Sequence, residues 1–211
     1  MIREGTGIYK IMKEKKIVIV GSSDIMLENN LGSEIDNFDI VVRFNRAPVF
    51  NFENYVGSKT DVRFVNSHAV KNTPKQNEDL KFLPSVKNQI ICSDFNINDN
   101  DFYRVFDKSC TYKQINRFSN FKKFKNNILD KLDINLNMKA PEPSVGLNAI
   151  CYYINEGFIP TIYGFHLHDE NRNVSPHYWK KKLSVGGCHD FSYERKLIKE
   201  LINLNYLKVL K

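Results

Sequence analysis

The chain has no apolar run approaching the roughly 18 residues that a membrane-spanning helix needs. Its first sixteen residues, MIREGTGIYKIMKEKK, lack the apolar core of a secretory signal. Cysteine is scarce, and Cys92, Cys110, Cys151 and Cys188 form neither a CxxC pair nor a dense framework. That excludes a disulfide-stapled scaffold and points to a reducing, cytoplasmic setting. Neither a GxGxxG fingerprint nor the GK[ST] of a P-loop is present, so ordinary dinucleotide and ATP sites have little support. RNP-like and helix-turn-helix signatures are also missing, and the basic residues are dispersed, which argues against a nucleic-acid-binding module.

What remains is a chain of 211 residues, 42% hydrophobic and 12% aromatic, long enough to bury a real core as one domain over residues 1–211. Its net charge of +7 favours an anionic partner: nucleic acid, an anionic membrane surface or a phosphorylated small molecule. Strand-like runs alternate with helical patterns. KIVIV (16–20), FDIVVRFN (38–45), TDVRFVN (60–66), QIICSD (89–94) and TIYGF (161–165) read as strands. Between the last two, residues 95–140 are rich in Asn and Lys with mixed helical patterning. The stretch RFSNFKKFKNNILDKL fits a surface helix packing one face, or an element facing an acceptor or a membrane. A helix is expected from Val145 to Glu156, capped by Ser144 and ended by Gly157. A last helix, YERKLIKELINL, has Asp190 or Ser192 as its cap. The pattern predicts an α/β fold with a mainly parallel central sheet flanked by helices. Ligands in such sheets bind beyond the carboxyl ends of the strands, so the loops after Val20, Phe44 and Phe165 are the places to search.

Three stretches there carry candidate chemistry. VGSSD (20–24) follows a buried strand and can offer backbone N–H groups and hydroxyls to a phosphate or ribose, or serve as a plain turn. Asn45, at a strand end, has both an amide donor and a carbonyl acceptor, suited to reading a base or to holding a loop. Near the C-terminus, SPHYWKKKLSVGGCHDFSYE holds two of the five histidines, His177 and His189, around Gly186-Gly187 and just before a helix. His166, His168, His177, Cys188 and His189 also raise a metal site, since HLH places two rings on one side of an extended segment. Their spacing matches no familiar structural zinc pattern.

Taken together, these stretches resemble the sialyltransferases of glycosyltransferase family 29. The long sialylmotif of that family runs from a V-G-[NS]-S loop through E-I-D-x-x-D-x-V-[IL]-R-x-N-x-A-P to G-S-[KR]-T, and here it spans Ile17 to Asn66. The short motif is PSVG with its helix and YGF (143–165), the third is His177-Tyr178-Trp179, and the last is His189 with Glu194 five positions on. The resemblance implies a GT-A-like, Rossmann-like variant fold that transfers sialic acid from CMP-sialic acid to a glycan hydroxyl, with inversion and with no metal or cofactor. His189 then matches the general base, because an imidazole accepts a proton near neutral pH. His177 matches the group that assists the leaving CMP phosphate. Ser22, Ser23, Asn45, Ser144, Val145, Gly146, Gly164 and Phe165 match the donor pocket. Glu194 would orient the helix or His189, or cap the first turn; Tyr178 and Trp179 would wall the pocket or pack in the core.

There are departures. Ser22 replaces the usual Asn, and Val145 the usual Thr. The paired cysteines of secretory-pathway members align with Ile17 and Gly157, and no membrane anchor precedes the domain. A related CMP-activated sugar such as CMP-Kdo, or a non-catalytic CMP-sugar binder, would share much of the pattern. The acceptor is not legible; a lipid-linked glycan and peripheral membrane association rest on charge and compartment alone.

Overall fold

The structure is a computed structural model that describes residues 15–71, 89–92, 97–103, 106, 111–130, 142–167, 175, 177–179 and 189–211. Seven parallel strands form one sheet: β1 (Ile17–Val20), β2 (Ile40–Phe44), β3 (Val62–Val65), β4 (Gln89–Cys92), β5 (Thr111–Gln114), β6 (Thr161–Tyr163) and β7 (Lys208–Val209). Their order is β5-β4-β3-β2-β1-β6-β7. Strand β1 lies in the middle, with Ile19 paired to Val42 on one side and to Ile162 on the other. All four of its residues are buried. Ile17 and Ile19 join the core on one face, with Phe64, Leu147, Ile150 and Leu197. Val18 and Val20 join the other, with Met26, Ile35 and Tyr163. A strand covered on both faces reads as a continuous apolar run, which is why it was visible in sequence.

The helices are α1 (Gly32–Asp36), α2 (Glu53–Val56), α3 (Ser67–Lys71), α4 (Asp99–Tyr103), α5 (Arg117–Phe124, continued by a π turn over Lys125–Leu129), α6 (Val145–Asn155) and α7 (Phe191–Asn203). None of them is long and apolar enough to cross a membrane. Helix α6 matches its expected limits. Ser144 Oγ accepts from the Leu147 N–H at 3.1 Å. At the other end Gly157 has φ of 87°, its N–H donates to Ile154 O, and the Phe158 N–H donates to Tyr153 O. That double bond pattern is a Schellman motif, closed by Phe158 against the Tyr153 ring at 6.0 Å. Of the two candidate caps for α7, Asp190 is the one used, accepting from the Tyr193 N–H.

Two expectations need correction. The region 95–140 is not purely helical, because it contributes β5, and the chain ends in β7 after its last helix. Both are edge strands with half-exposed or exposed residues, so they carry no apolar run to announce them. Helix α5 does bury one face, with Phe124 inside and Phe118 exposed; the rest of that stretch, beyond Asp130, lies outside the described residues.

Two guanidinium groups are fully buried where β2 meets β3. Arg43 and Arg63 are cross-strand partners. Arg43 donates to the carbonyls of Val56 (2.7 Å), Gly57 (3.2 Å) and Lys59 (2.8 Å) and to Thr60 Oγ1 (2.9 Å), gathering the loop that leads into β3. Arg63 Nη1 donates to the carbonyls of Asn45 (2.9 Å) and Ala47 (3.2 Å) in the loop after β2. Burial pulls them down to about 10 and about 9, with Arg43 adding to the fall at Arg63, so both stay cationic at neutral pH. Replacing a buried ion with an apolar residue is often harmless when its partner goes too. Here the partners are backbone carbonyls, which stay behind. Arg43→Met is therefore expected to cost about 3 kcal/mol, several unsatisfied carbonyls at about 1 to 3 kcal/mol each partly relieved by water. Urea unfolding measures it, and a loss under about 1 kcal/mol would show that water replaces the guanidinium.

Candidate active site

The chain passes from β1 to β2 on one side and returns to β6 on the other, which opens a crevice at the carboxyl ends of β1 and β6. Past the strands, the Gly21 N–H donates to Tyr163 O at 2.7 Å and the Ser23 N–H to Gly164 O at 3.1 Å. The two loops touch so closely that a Cβ on Gly21 would lie 2.2 Å from Gly164 O. Gly164, at φ of 74°, leaves equally little room against Met26. The two loops are thus built against each other. Ser23 is buried, and its hydroxyl has no hydrogen-bond partner. Ser22 is half-buried, and its carbonyl accepts the Tyr178 N–H at 2.8 Å.

The segment carrying His177 is sewn onto this loop. Asp24 Oδ2 accepts the Ser175 N–H at 2.7 Å, while the Asp24 N–H donates to Ser175 O at 3.2 Å. The His177 ring stacks on Trp179, centroids 4.6 Å apart and planes 23° from parallel. Between them Tyr178 points into the core, edge-on to Phe52 at 5.0 Å, and its hydroxyl donates to the carbonyl of Pro48. Burial pushes that phenol up to about 12, with Arg43 and Arg63 opposing the rise. Tyr178 is thus a core residue that joins the loops after β1 and β2, and half-buried Trp179 flanks the histidine.

Asn45 has a left-handed backbone, φ of 42°, which asparagine tolerates better than most residues. Its N–H donates to Phe64 O at 2.8 Å, its carbonyl is held by Arg63, and its side-chain Oδ1 accepts the Asn66 N–H at 3.0 Å. The loop-holding reading of this residue is thus seen in its amide oxygen, which leaves Nδ2 for other use.

At the start of α6, Ser144 is fully engaged. Its N–H donates to Glu194 Oε1 at 2.7 Å and its hydroxyl to Glu194 Oε2 at 2.6 Å. Glu194 comes from the first turn of α7 and is only 4% exposed. Burial raises its carboxyl, while the two Ser144 bonds and the charge of His189 oppose that rise. So Glu194 orients a helix, but the neighbouring one. The donors that remain at the positive end of α6 are the N–H groups of Val145 and Gly146. The Val145 side chain is buried in the core, which suits its apolar character. Phe165 lies over Gly146, where a Cβ would meet its ring at 3.0 Å, and edge-on to Phe44 at 6.1 Å.

His189, one residue before the Asp190 cap, places Nδ1 3.0 Å from the carbonyl oxygen of Glu142. A carbonyl only accepts, so Nδ1 carries a proton, and in the neutral ring that leaves the lone pair on Nε2. The ring is edge-on to Phe191 at 5.6 Å. The carbonyl partner was invisible in sequence because a backbone oxygen carries no residue signature. Asp24, inside the quoted VGSSD, was available but not singled out. Among the described residues no three His, Cys, Asp or Glu side chains are grouped to hold a metal ion; His168, Cys188 and the Gly186-Gly187 hinge lie outside them.

Residues 10–206 match the model of glycosyltransferase family 29 (sialyltransferase). The chain is 29% identical over 203 residues to human beta-galactoside alpha-2,6-sialyltransferase 1, covering 88% of this chain and 49% of that protein. It is 29% identical over 216 residues to human CMP-N-acetylneuraminate-beta-galactosamide-alpha-2,3-sialyltransferase 4, covering 92% and 63%. A shorter match, 44% over 64 residues, links 30% of the chain to 17% of human CMP-N-acetylneuraminate-beta-1,4-galactoside alpha-2,3-sialyltransferase. The chain thus spans less than two thirds of each of these relatives. In fold it resembles a mammalian sialyltransferase crystallised with Gal-beta-1-3GalNAc-ortho-nitrophenol, at a TM-score of 0.66 and 21% identity over 96% of this chain and 71% of that one. It also resembles the Campylobacter jejuni sialyltransferase CstII in complex with cytidine-5'-monophosphate, at 0.53 and 21% over 93% and 80%. With the family model matching nearly the whole chain, the protein belongs to glycosyltransferase family 29, the sialyltransferases.

Proposed function

We propose that this protein is an inverting, metal-independent sialyltransferase that moves sialic acid from CMP-sialic acid to a hydroxyl of a glycan acceptor. The observation that carries the reading is the hydrogen bond from His189 Nδ1 to the Glu142 carbonyl, which leaves Nε2 as a base. The acceptor oxygen attacks the anomeric carbon of the sugar from the face opposite the phosphate. Its proton passes to His189 Nε2, the bond from the anomeric carbon to the phosphate oxygen breaks, and CMP departs with the electron pair. Water then returns His189 to its neutral form. His177, its ring plane restrained by Trp179, donates to the departing phosphate, where negative charge grows.

The donor is held by groups that are otherwise unused. The Val145 and Gly146 N–H groups face a phosphate or carboxylate at a helix N-terminus. Ser23 Oγ and Asn45 Nδ2 supply directed hydrogen bonds to the nucleotide, with Ser22 beside them, and Gly164 and Phe165 line the same pocket. Only a glycine at 164 lets the loop after β6 approach that after β1. The partners are a CMP-sugar and a glycan; a lipid-linked acceptor at a membrane surface suits the basic surface.

The test is CMP release from CMP-sialic acid and from CMP-Kdo, without metal, against galactose-terminated and lipopolysaccharide-like acceptors. Acceptor-dependent release from CMP-sialic acid is expected, and turnover of CMP-Kdo alone would replace the sugar assignment. His189→Ala is expected to lower that release by about a hundred- to ten-thousandfold, the usual contribution of a positioned base, while CMP still binds. Full activity in the variant would remove His189 from the chemistry.

Ser23→Ala separates ligand binding from folding. Calorimetric titration should show CMP bound about tenfold more weakly, the worth of one hydrogen bond. The melting temperature should hold or rise, since a buried hydroxyl without a partner is removed. An unchanged CMP affinity would take Ser23 out of the donor site.

A further inference from the structure

We propose that Arg117 is a positioning residue for His189, acting through Glu142. This rests on the reading of His189 as the base. The Arg117 Nη2 atom lies 2.6 Å from Glu142 Oε2, with the two side chains only 14% and 31% exposed, and the carbonyl of the same Glu142 holds His189 Nδ1 at 3.0 Å. One residue therefore receives a cation on its side chain and gives an acceptor to the imidazole from its backbone.

Arg117 is itself well anchored. It begins α5, whose N-cap Asn116 accepts from the Ser119 N–H. Three asparagines fasten α5 to α6: Asn120 Nδ2 donates to Asn148 O and Oδ1, and Asn155 Nδ2 donates to Asn120 O and Oδ1. On its other side Glu142 is two residues from Ser144, which Glu194 holds by two bonds. The short turn 142–144 is thus clamped at both ends, by Arg117 on one and Glu194 on the other. The imidazole reads the position of the carbonyl between those clamps. Loss of the Arg117 clamp frees that carbonyl to move, and with it the tautomer and aim of His189.

Arg117→Ala is expected to lower kcat by about ten- to a hundredfold, the range seen when the outer partner of a histidine is removed elsewhere. The KM for the CMP-sugar should stay within about twofold. Arg117→Lys should recover part of the loss, and Glu142→Gln combined with Arg117→Ala should cost little beyond either single change. Lys123→Ala, on the same helix and paired to Glu156, serves as the unaffected control. A readout independent of turnover is nitrogen-15 NMR of the histidine rings. The wild type should show His189 as a single Nδ1–H tautomer, and Arg117→Ala a mixture. A wild type without turnover would overturn the sialyltransferase reading and leave the NMR comparison to decide on Arg117. An active wild type with unchanged kcat and tautomer in Arg117→Ala would overturn the positioning role.

Discussion

A single buried carboxylate organises one half of the candidate site, where the first turns of α6 and α7 meet. Glu194 takes the N–H and the hydroxyl of Ser144 on separate oxygens, and the same hydroxyl accepts the Leu147 N–H that opens α6. One serine oxygen thereby links the first turns of α6 and α7. A carboxylate this deep is expensive unless bonded, and burial alone pushes its proton affinity up. Two convergent donors make it tolerable only if both helices start where they do. The rest follows from that alignment. Glu142 lies two residues before Ser144, and His189 five before Glu194, so their hydrogen bond is the next rung of the same ladder. The N–H groups of Val145 and Gly146 follow Ser144 in the first turn of α6.

The other half of the site is fixed by charge of opposite sign. Arg43 and Arg63 stand side by side with no buried carboxylate between them, an arrangement that repels. Each is compensated by carbonyl oxygens instead, Arg43 by those of the loop leading into β3 and Arg63 by those of the loop after β2. Arg63 in particular binds the carbonyl of Asn45, whose backbone is left-handed. A strained residue persists only where its surroundings over-determine it. Three contacts do so here: the Phe64 carbonyl, the Asn66 N–H and the guanidinium. Tyr178 then ties the loop after β2 to the loop after β1, with its hydroxyl on Pro48 and its N–H on Ser22.

The sequence made the interior of this architecture legible and left its margins dark. KIVIV, buried on both faces, could be read because no solvent-facing alternation interrupts it. Ser144, Gly157 and Asp190 could be read because capping and left-handed turns need particular residues. Strands β5 and β7 could not, since TYKQ and two residues of the tail owe their conformation to a neighbouring strand edge rather than to composition. The same division runs through the site. Side chains with distinctive chemistry, His177, His189 and Ser23, stood out in the chain. Glu194 was recognisable as important, yet its partner lay fifty residues away and only the packing of two helices brings them together. Arg43 and Arg63 carry no mark of burial in the sequence, yet both are interior clamps. The Glu142 carbonyl had no signature at all.

That carbonyl also distinguishes this histidine from the familiar pairing of imidazole with carboxylate. A carboxylate on Nδ1 fixes the tautomer and strongly favours the imidazolium that forms on proton transfer. A carbonyl fixes the tautomer equally well but brings no full charge. Glu194, the buried carboxyl in the first turn of the same helix, is instead taken up by Ser144 on both oxygens. The imidazole is thus aimed by a neutral group. In the sialyltransferase mechanism proposed above, where the phosphate departs readily, the aim of such a base matters more than a full negative charge beside it. The clamped turn 142–144 supplies the aim.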